Sequence, residues 1–425
     1  MADISGEIRI PAGVHLPPVP EEPPARRLLP GEWIRQNLFN TWYNALITVV
    51  LAPAIAYVIY VALRFVFVTG RWEIVEVNLT NFMVGTFARS ELWRPWAAMA
   101  ILAVVVGLGL GVTARAAADA ALVRGVPITA SWPERIRRAT PALLLLATLV
   151  AFVRTATPLV LLAGVLALAF AGFYAGRRIP QTARRWFNLV VIVGLLGAYV
   201  VMTQFGGVNV SNWGGLLLTV FLAVGGIALS FPLGVLLALA RRSTLPVVRL
   251  VAVVYIELMR GLPLIALLFI GWLILPFFLP VGFPTPGVVW RALIVFILFT
   301  AAYVAEIVRG GLQSIPAGQY EAARALGLPA WKIMRQIILP QALRNVIPAM
   351  VGQFISLFKD TSLVLVVGLT DLLRIATRVT QQPEFLGQGL HAETLLFVSF
   401  IYWVGSYWMS RESQRMERRL GLGER

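Results

Sequence analysis

Of 425 residues, 59% are hydrophobic and only 13% charged, against roughly 25% charged in an ordinary soluble domain. Apolar runs over 143–153, 159–175 and 264–279 exclude a soluble fold, because about 20 such residues span the roughly 30 Å hydrocarbon layer. The net charge of +16 does not mark a nucleic-acid groove, since the arginines sit in short loops between apolar runs and not on one soluble face.

In chain order, residues 1–40 carry Pro11, Pro17, Pro18, Pro20, Pro23 and Pro24 beside Glu21 and Glu22. They lack the apolar core of a signal peptide and read as a disordered, Pro-rich cytoplasmic tail. An N-terminal extension, 41–205, follows with five expected spans: 45–67, 96–114, 140–154, 157–176 and 189–204. Arg154 falls in the middle of 140–176. A single span there would invert everything after it, so a tight hairpin with Arg154 at the outer surface is expected. Five more spans, 213–240, 263–280, 289–309, 341–367 and 392–409, occupy 206–412, before a basic tail at 413–425. The fold class expected is all-α: a polytopic membrane protein of about ten transmembrane helices.

Charge orients these spans. Arg26, Arg27 and Arg35, then Arg115, Arg124, Arg135, Arg137 and Arg138, then Arg177, Arg178, Arg184 and Arg185 fall on one side. Arg241, Arg242, Arg249 and Arg260, the 309–344 cluster and the tail join them, whereas the other side holds mainly Arg71, Arg89, Arg94, Arg374 and Arg378. Lys and Arg stay inside, so both termini are expected in the cytoplasm. Cysteine is absent, which removes a disulfide framework and a cysteine nucleophile. His15 and His391 lie in a tail and at a span edge, and no clustered metal or nucleophile set suggests an enzyme. The tripeptide Asn78-Leu79-Thr80 fits a glycosylation acceptor but stands without any other secretory signal.

Between the eighth and ninth expected spans, residues 314–340 read as helix, break, helix. Ser314 is placed to cap the first helix with Pro316 in its first turn. Ala322, Ala323, Ala325 and Leu326 favour helix, and Gly327 can take the left-handed conformation that stops it. Leu328 and Pro329 then lead into a second short helix ending near Leu339, with Pro340 opening the next span. The spacing Glu321-Ala322-Ala323, three residues, Gly327, nine residues, Ile337-Ile338-Leu339-Pro340 resembles the Glu-Ala-Ala signature of bacterial ABC-importer permeases. In that family the loop is the coupling helix that docks on the ATPase subunit.

The resemblance extends over about 206–412, through Asn212-Trp213-Gly214-Gly215-Leu216, Glu257-Leu258-Met259-Arg260-Gly261-Leu262-Pro263, the stretch from Ala302 to Gly311, and Lys359-Asp360-Thr361-Ser362-Leu363. These look like the polar amino acid (histidine/glutamine-type) branch, whose permease core has five spans. The longer chain is most similar in layout to the large permeases of general L-amino-acid or glutamate/glutamine/aspartate/asparagine transporters. What the resemblance implies is a multi-pass subunit of the bacterial inner membrane. Its partners would be ABC ATPase subunits, a second homologous permease (heterodimer or homodimer) and a periplasmic amino-acid-binding protein, with no nucleic acid. No cofactor is expected on this chain. Its only lysines, Lys332 after Trp331 and Lys359 after Phe358, make no phosphate-binding loop, so ATP and Mg belong on the partner ATPase.

Two further groups are candidates. Gln353, Ser356 and Asp360 share a helix face by their spacing, and Thr361 and Ser362 extend it. An intramembrane carboxylate is costly, roughly 2.5–3.5 kcal/mol on insertion scales, and the family places its translocation path in this part of the core. The bland alternative is that Asp360 and Lys359 tie this span to its neighbours. Glu306 and Arg309, three apart, are expected to pair locally, and Glu257 and Arg260 to anchor a helix end or to gate. A different function class, an ion-gradient-driven secondary amino-acid transporter with Asp360 as its ion site, would call for inverted repeats and leaves the 314–340 loop without a role.

Overall fold

The computed structural model describes residues 29–124 and 132–420, and every named element among them is helical. Most of the Pro-rich tail, with Arg26 and Arg27, lies outside the described residues, as do Arg425 and the side chains of Arg124, Arg135, Arg137 and Arg138. The chain divides into two compact units, 1–70 and 71–425. In the first, α1 (Pro30–Leu38) leads into α2 (Trp42–Arg64), and the Thr48 hydroxyl donates to the Leu38 carbonyl at 3.0 Å. No side chain of α2 is buried. A helix apolar all round with no buried face suits lipid contact.

The second unit opens with α3 (Glu73–Val84), α4 (Trp93–Arg124), α5 (Trp132–Ala151), α6 (Ala156–Arg178) and α7 (Phe187–Thr203). Small residues at four-residue spacing let α4 and α6 approach closely, as bilayer helices do. A Cβ on Gly111 would come within 2.2 Å of the Phe173 carbonyl, and one on Gly176 within 2.3 Å of that of Leu108. Arg94, 5% exposed, ties the start of α4 to the end of α7 by donating to the carbonyls of Val201 at 2.7 Å, Gln204 at 3.0 Å and Phe205 at 2.9 Å. These carbonyls leave the last turn without intrahelical partners, which a guanidinium satisfies. Arg154 sits in the turn between α5 and α6 and pairs with Glu76 of α3.

The remaining helices are α8 (Gly215–Arg241), α9 (Pro246–Gly261), α10 (Leu264–Phe269), α11 (Val288–Gln313), α12 (Ala317–Ala325), α13 (Ala330–Lys332), α14 (Leu339–Asn345), α15 (Ile347–Asp360), α16 (Leu372–Val379) and α17 (His391–Leu420). Helix α11 is the axis of this bundle. Its Val289, Leu293, Phe296 and Phe299 share one apolar cluster with Leu218 and Leu222 of α8, and Val304, Ala305, Val308 and Leu312 enter a second near the 314–340 loop. At the opposite end, Gly215 and Asp371 form an isolated bridge, so α8 runs from the α16 end to the loop end.

Among the described residues, seven helices are long and apolar enough to cross a membrane. An eighth candidate is the pair 246–261 and 264–278, bent by 106° at the break. Helices α5 and α17 cover the remaining two expected spans but are not in that set. Three local expectations need correction. Ser314 does not cap α12: its hydroxyl donates to Gly311 O at 2.9 Å and closes α11, while Pro316 takes the N-cap position. Pro340 does not open the next span. A π-helical stretch, Ile333–Ile338, precedes it and winding continues to Asn345. The wider turn accommodates a proline that lacks an N–H and would crowd an α-helical ladder. The break falls instead at Val346, and Pro348 sits in the first turn of α15.

Candidate functional site

The 314–340 loop is closed by a left-handed cap. Gly327 has φ of +70°, the Leu328 amide donates to Ala323 O at 3.3 Å, and the Gly327 amide to Arg324 O at 2.9 Å. These are the paired 6→1 and 5→2 bonds of a Schellman motif, and Leu328 and Ala323 also share an apolar cluster. The motif therefore separates two faces. Ala323, Ile333 and Ile338 are at most 4% exposed and join Ala238 of α8, Ile256 of α9, Val308 of α11 and Met350 of α15. Ile337 and Leu339 pack at the edge of that cluster. Glu321, Ala322, Leu326, Gly327, Pro329 and Pro340 face outward. Leu326 is 78% exposed and Trp331 59%, an apolar tip held on a buried base. Trp331 was not among the sequence candidates, although an aromatic two residues after Pro329, where the second short helix begins, is the signal that marks it.

A charge network sits at the same end of the bundle. Glu306 of α11 receives the Arg309 guanidinium at 3.0 Å, Arg241 of α8 at 3.3 Å and Arg260 of α9 at 3.7 Å, and Arg241 reaches Glu257 of α9 at 3.1 Å. Three arginines thus share two carboxylates across three helices. Each side chain except that of Glu257 is no more than about a third exposed. In such partly dry surroundings charge-assisted bonds are strong and an unmatched charge is expensive. Arg241, absent from the sequence candidates, is the member that joins both carboxylates.

Helix α15 presents a different polar group. Gln353 and Asp360 are half-buried and Ser356 is exposed, and among the described residues none of the three makes a side-chain hydrogen bond or ion pair. Lys359 is exposed and makes no ion pair with Asp360 or a neighbouring helix among the described residues. Thr361 and Ser362, by contrast, are satisfied locally: Thr361 donates to Phe358 O at 2.7 Å and Ser362 to Lys359 O at 2.8 Å. Thr361 also lies 3.5 Å from the Tyr402 hydroxyl. The structure thus splits the five expected path residues into an open stripe and two back-bonded hydroxyls.

Beyond the stripe, Asp371 is fully buried and caps α16, accepting from the amides of Leu373 at 2.9 Å and Arg374 at 3.1 Å. Burial pushes its carboxyl up to about 7, against the pull of those two amides. Its sequence signal was an Asp immediately before a short amphipathic run.

A family described as "Binding-protein-dependent transport system inner membrane component" matches residues 230–421. Over 409 residues, 92% of this chain and 93% of the relative, the sequence is 35% identical to the inner membrane amino-acid ABC transporter permease protein YhdY of Escherichia coli. It is 46% identical over 213 residues to the glutamate/glutamine/aspartate/asparagine transport system permease protein BztC of Rhodobacter capsulatus, covering 50% of this chain and 49% of that one. A solved amino acid ABC transporter crystallised with histidines aligns at 33% identity with a TM-score of 0.43, over 48% of this chain and 92% of that one.

Proposed function

Because the chain belongs to the family of binding-protein-dependent transport system inner membrane components, we propose that it forms the translocation path for polar L-amino acids and couples that path to separate ATPase subunits. The observation that carries the reading is the two-faced 314–340 loop. Its exposed tip, Ala322, Leu326 and Trp331, offers a partner an apolar knob, while Ala323, Ile333 and Ile338 root it among α8, α9, α11 and α15. Close-packed interiors move as units and do not deform continuously. A push on the knob therefore becomes a displacement of the helices that carry the charge network and the polar stripe.

In this reading Gln353, Ser356 and Asp360 face the path. A carboxylate there meets a substrate ammonium group, and an amide or hydroxyl meets its carboxylate. Polar groups left unpaired in a bilayer are costly, so the stripe is completed by water, substrate or a second permease subunit across the path. Thr361 and Ser362 shape the wall. Glu257, Arg260, Glu306 and Arg309, with Arg241, act as an anchor that holds α8, α9 and α11 in register as the loop moves. This chain binds no cofactor itself; ATP and Mg bind the partner ATPase. A periplasmic binding protein delivers the amino acid, and both termini of this multi-pass inner membrane chain lie in the cytoplasm.

The test is reconstitution in liposomes with the ATPase, the second permease and the binding protein. ATP hydrolysis stimulated by a polar amino acid, with uptake that stops on ATP depletion, is the expected result. Uptake that survives ATP depletion and collapses with an uncoupler would overturn it in favour of ion-driven transport.

A further inference from the structure

A cleft of about 720 Å³ opens between the end of α3 and the end of α16, at the pole of the bundle opposite the 314–340 loop. Its size is that of a small-molecule site, typically ~300–1,000 Å³. Two arginines line it, Arg89 and Arg378, together with Asn81, Gln381 and Gln382, and no carboxylate does. Arg89 belongs to the N-terminal extension and Arg378 to the permease core, so neither half of the chain makes the site alone.

One wall is organised by a chain of amides. Asn78, 2% exposed, exchanges two hydrogen bonds with Gln382, donating at 3.0 Å and accepting at 2.8 Å. Its oxygen also accepts from Asn81 at 2.7 Å, and the Asn81 oxygen in turn accepts from the Arg89 guanidinium. One end of the Arg89 guanidinium is thus tethered to this wall while the rest of it stays exposed to a ligand. Arg378 is exposed and has no ion-pair partner among the described residues. A guanidinium fork matches a carboxylate with two parallel hydrogen bonds. Side-chain amides beside it offer both donors and acceptors, which suits an ammonium or amide group on the same molecule.

We infer that this cleft is a binding site for a small carboxylate-bearing molecule of the amino-acid class, with Arg89 and Arg378 as the carboxylate receptors. The amino-acid class rests on the import reading; the carboxylate chemistry rests on the cleft alone. A ligand held there would wait at the pole toward which α15 and its stripe run.

The probe is L-glutamate binding to the full assembly in nanodiscs without nucleotide, with succinate and n-butylamine as competitors. Wild-type protein is expected to bind L-glutamate saturably, with succinate competing and n-butylamine not. Arg378→Gln and Arg89→Gln should each weaken that binding at least tenfold while the melting temperature of the assembly stays unchanged. Absent saturable binding, or binding untouched by both substitutions, overturns the site. Substitutions that weaken only association of the soluble binding protein also overturn it, because the cleft then serves a protein surface. Arginine-dependent binding in an assembly whose ATPase ignores amino acids would defeat the import reading and leave the site standing. Stimulated ATPase without arginine-dependent binding would do the reverse.

Discussion

Two arginine clusters at opposite ends of the bundle are handled in opposite ways. At the loop end, Arg241, Arg260 and Arg309 converge on Glu257 and Glu306 from three helices. At the α16 end, Arg89 and Arg378 line a cleft with amides and no acid. Charge paired mostly from within holds helices together and leaves little for a ligand. Charge left without an acid beside it is available to one. Between the two, the α15 stripe has polar atoms without internal partners and belongs with the second kind.

That contrast breaks most directly at Glu306. Glu306→Ala leaves three guanidinium groups sharing the single carboxylate of Glu257, and the loss should be about 2 kcal/mol, the scale of hydrogen bonds to charged groups. A thermal melt of the detergent-purified chain should drop by several degrees, and the Glu306→Ala, Arg309→Ala double variant should lose less than the two singles added together. An unchanged melt would show that the network is solvated and idle.

Gly327→Val is expected to act on assembly more than on the chain. At φ of +70° an L side chain costs about 1–2 kcal/mol, so the knob should reorient and ATPase co-purification fall roughly tenfold. Gly327→Asn, which tolerates this conformation, should retain most of it. Normal co-purification of the valine variant would detach the loop from coupling.

Asp371 gives a smaller, pH-dependent effect. Its folded pKa near 7 lies above the ordinary carboxyl value, so the folded chain binds the extra proton between about pH 4 and pH 7. The stabilising contribution is complete below about pH 4 and is lost as pH rises through 7. The melting temperature should therefore fall by a few degrees from pH 5 to pH 7.5, and Asp371→Asn should flatten that slope. An identical slope in the variant would assign it to other groups. The smallest change expected is Asn78→Ala, which strands the Gln382 amide for about 1 kcal/mol and should loosen hydrogen-exchange protection of α3 first. Protection unchanged there would mean that the amide clasp does not hold the cleft wall.

What the sequence revealed was what is local. The Gly327 stop was legible because the Schellman geometry lies within a few residues and requires a left-handed position. The Glu306 and Arg309 pair was legible because both sit on one helix, three apart. Arg241 and Glu257 reach the same cluster from other helices, and no spacing within one segment encodes that. Helix α9 was hidden for a similar reason: its arginines at 249 and 260 made it read as part of an inner loop, while Ala252 and Ile256 formed its buried stripe. The far end of the loop was misread because Pro340 signals a stop, and the π-helical stretch that absorbs it leaves no composition mark. Helix α3 looked like a loop between spans, so both the buried state of Asn78 and the cleft it borders were out of reach. That burial also removes Asn78 as a glycosylation acceptor.

The Asn78–Gln382 clasp joins residues 304 apart in the chain. Ribosomes add about 5–20 residues per second, so α3 leaves the ribosome roughly 15–60 s before its partner exists. During that interval α3 has only earlier partners, Arg154 in the turn after α5 and the start of α8 at Gly215. Its Ile74, Val75 and Phe82 end fully buried, so the apolar face of α3 must find cover as well as its amides. The segment after α16, made just before α17, then completes a wall whose first half was laid down with α3.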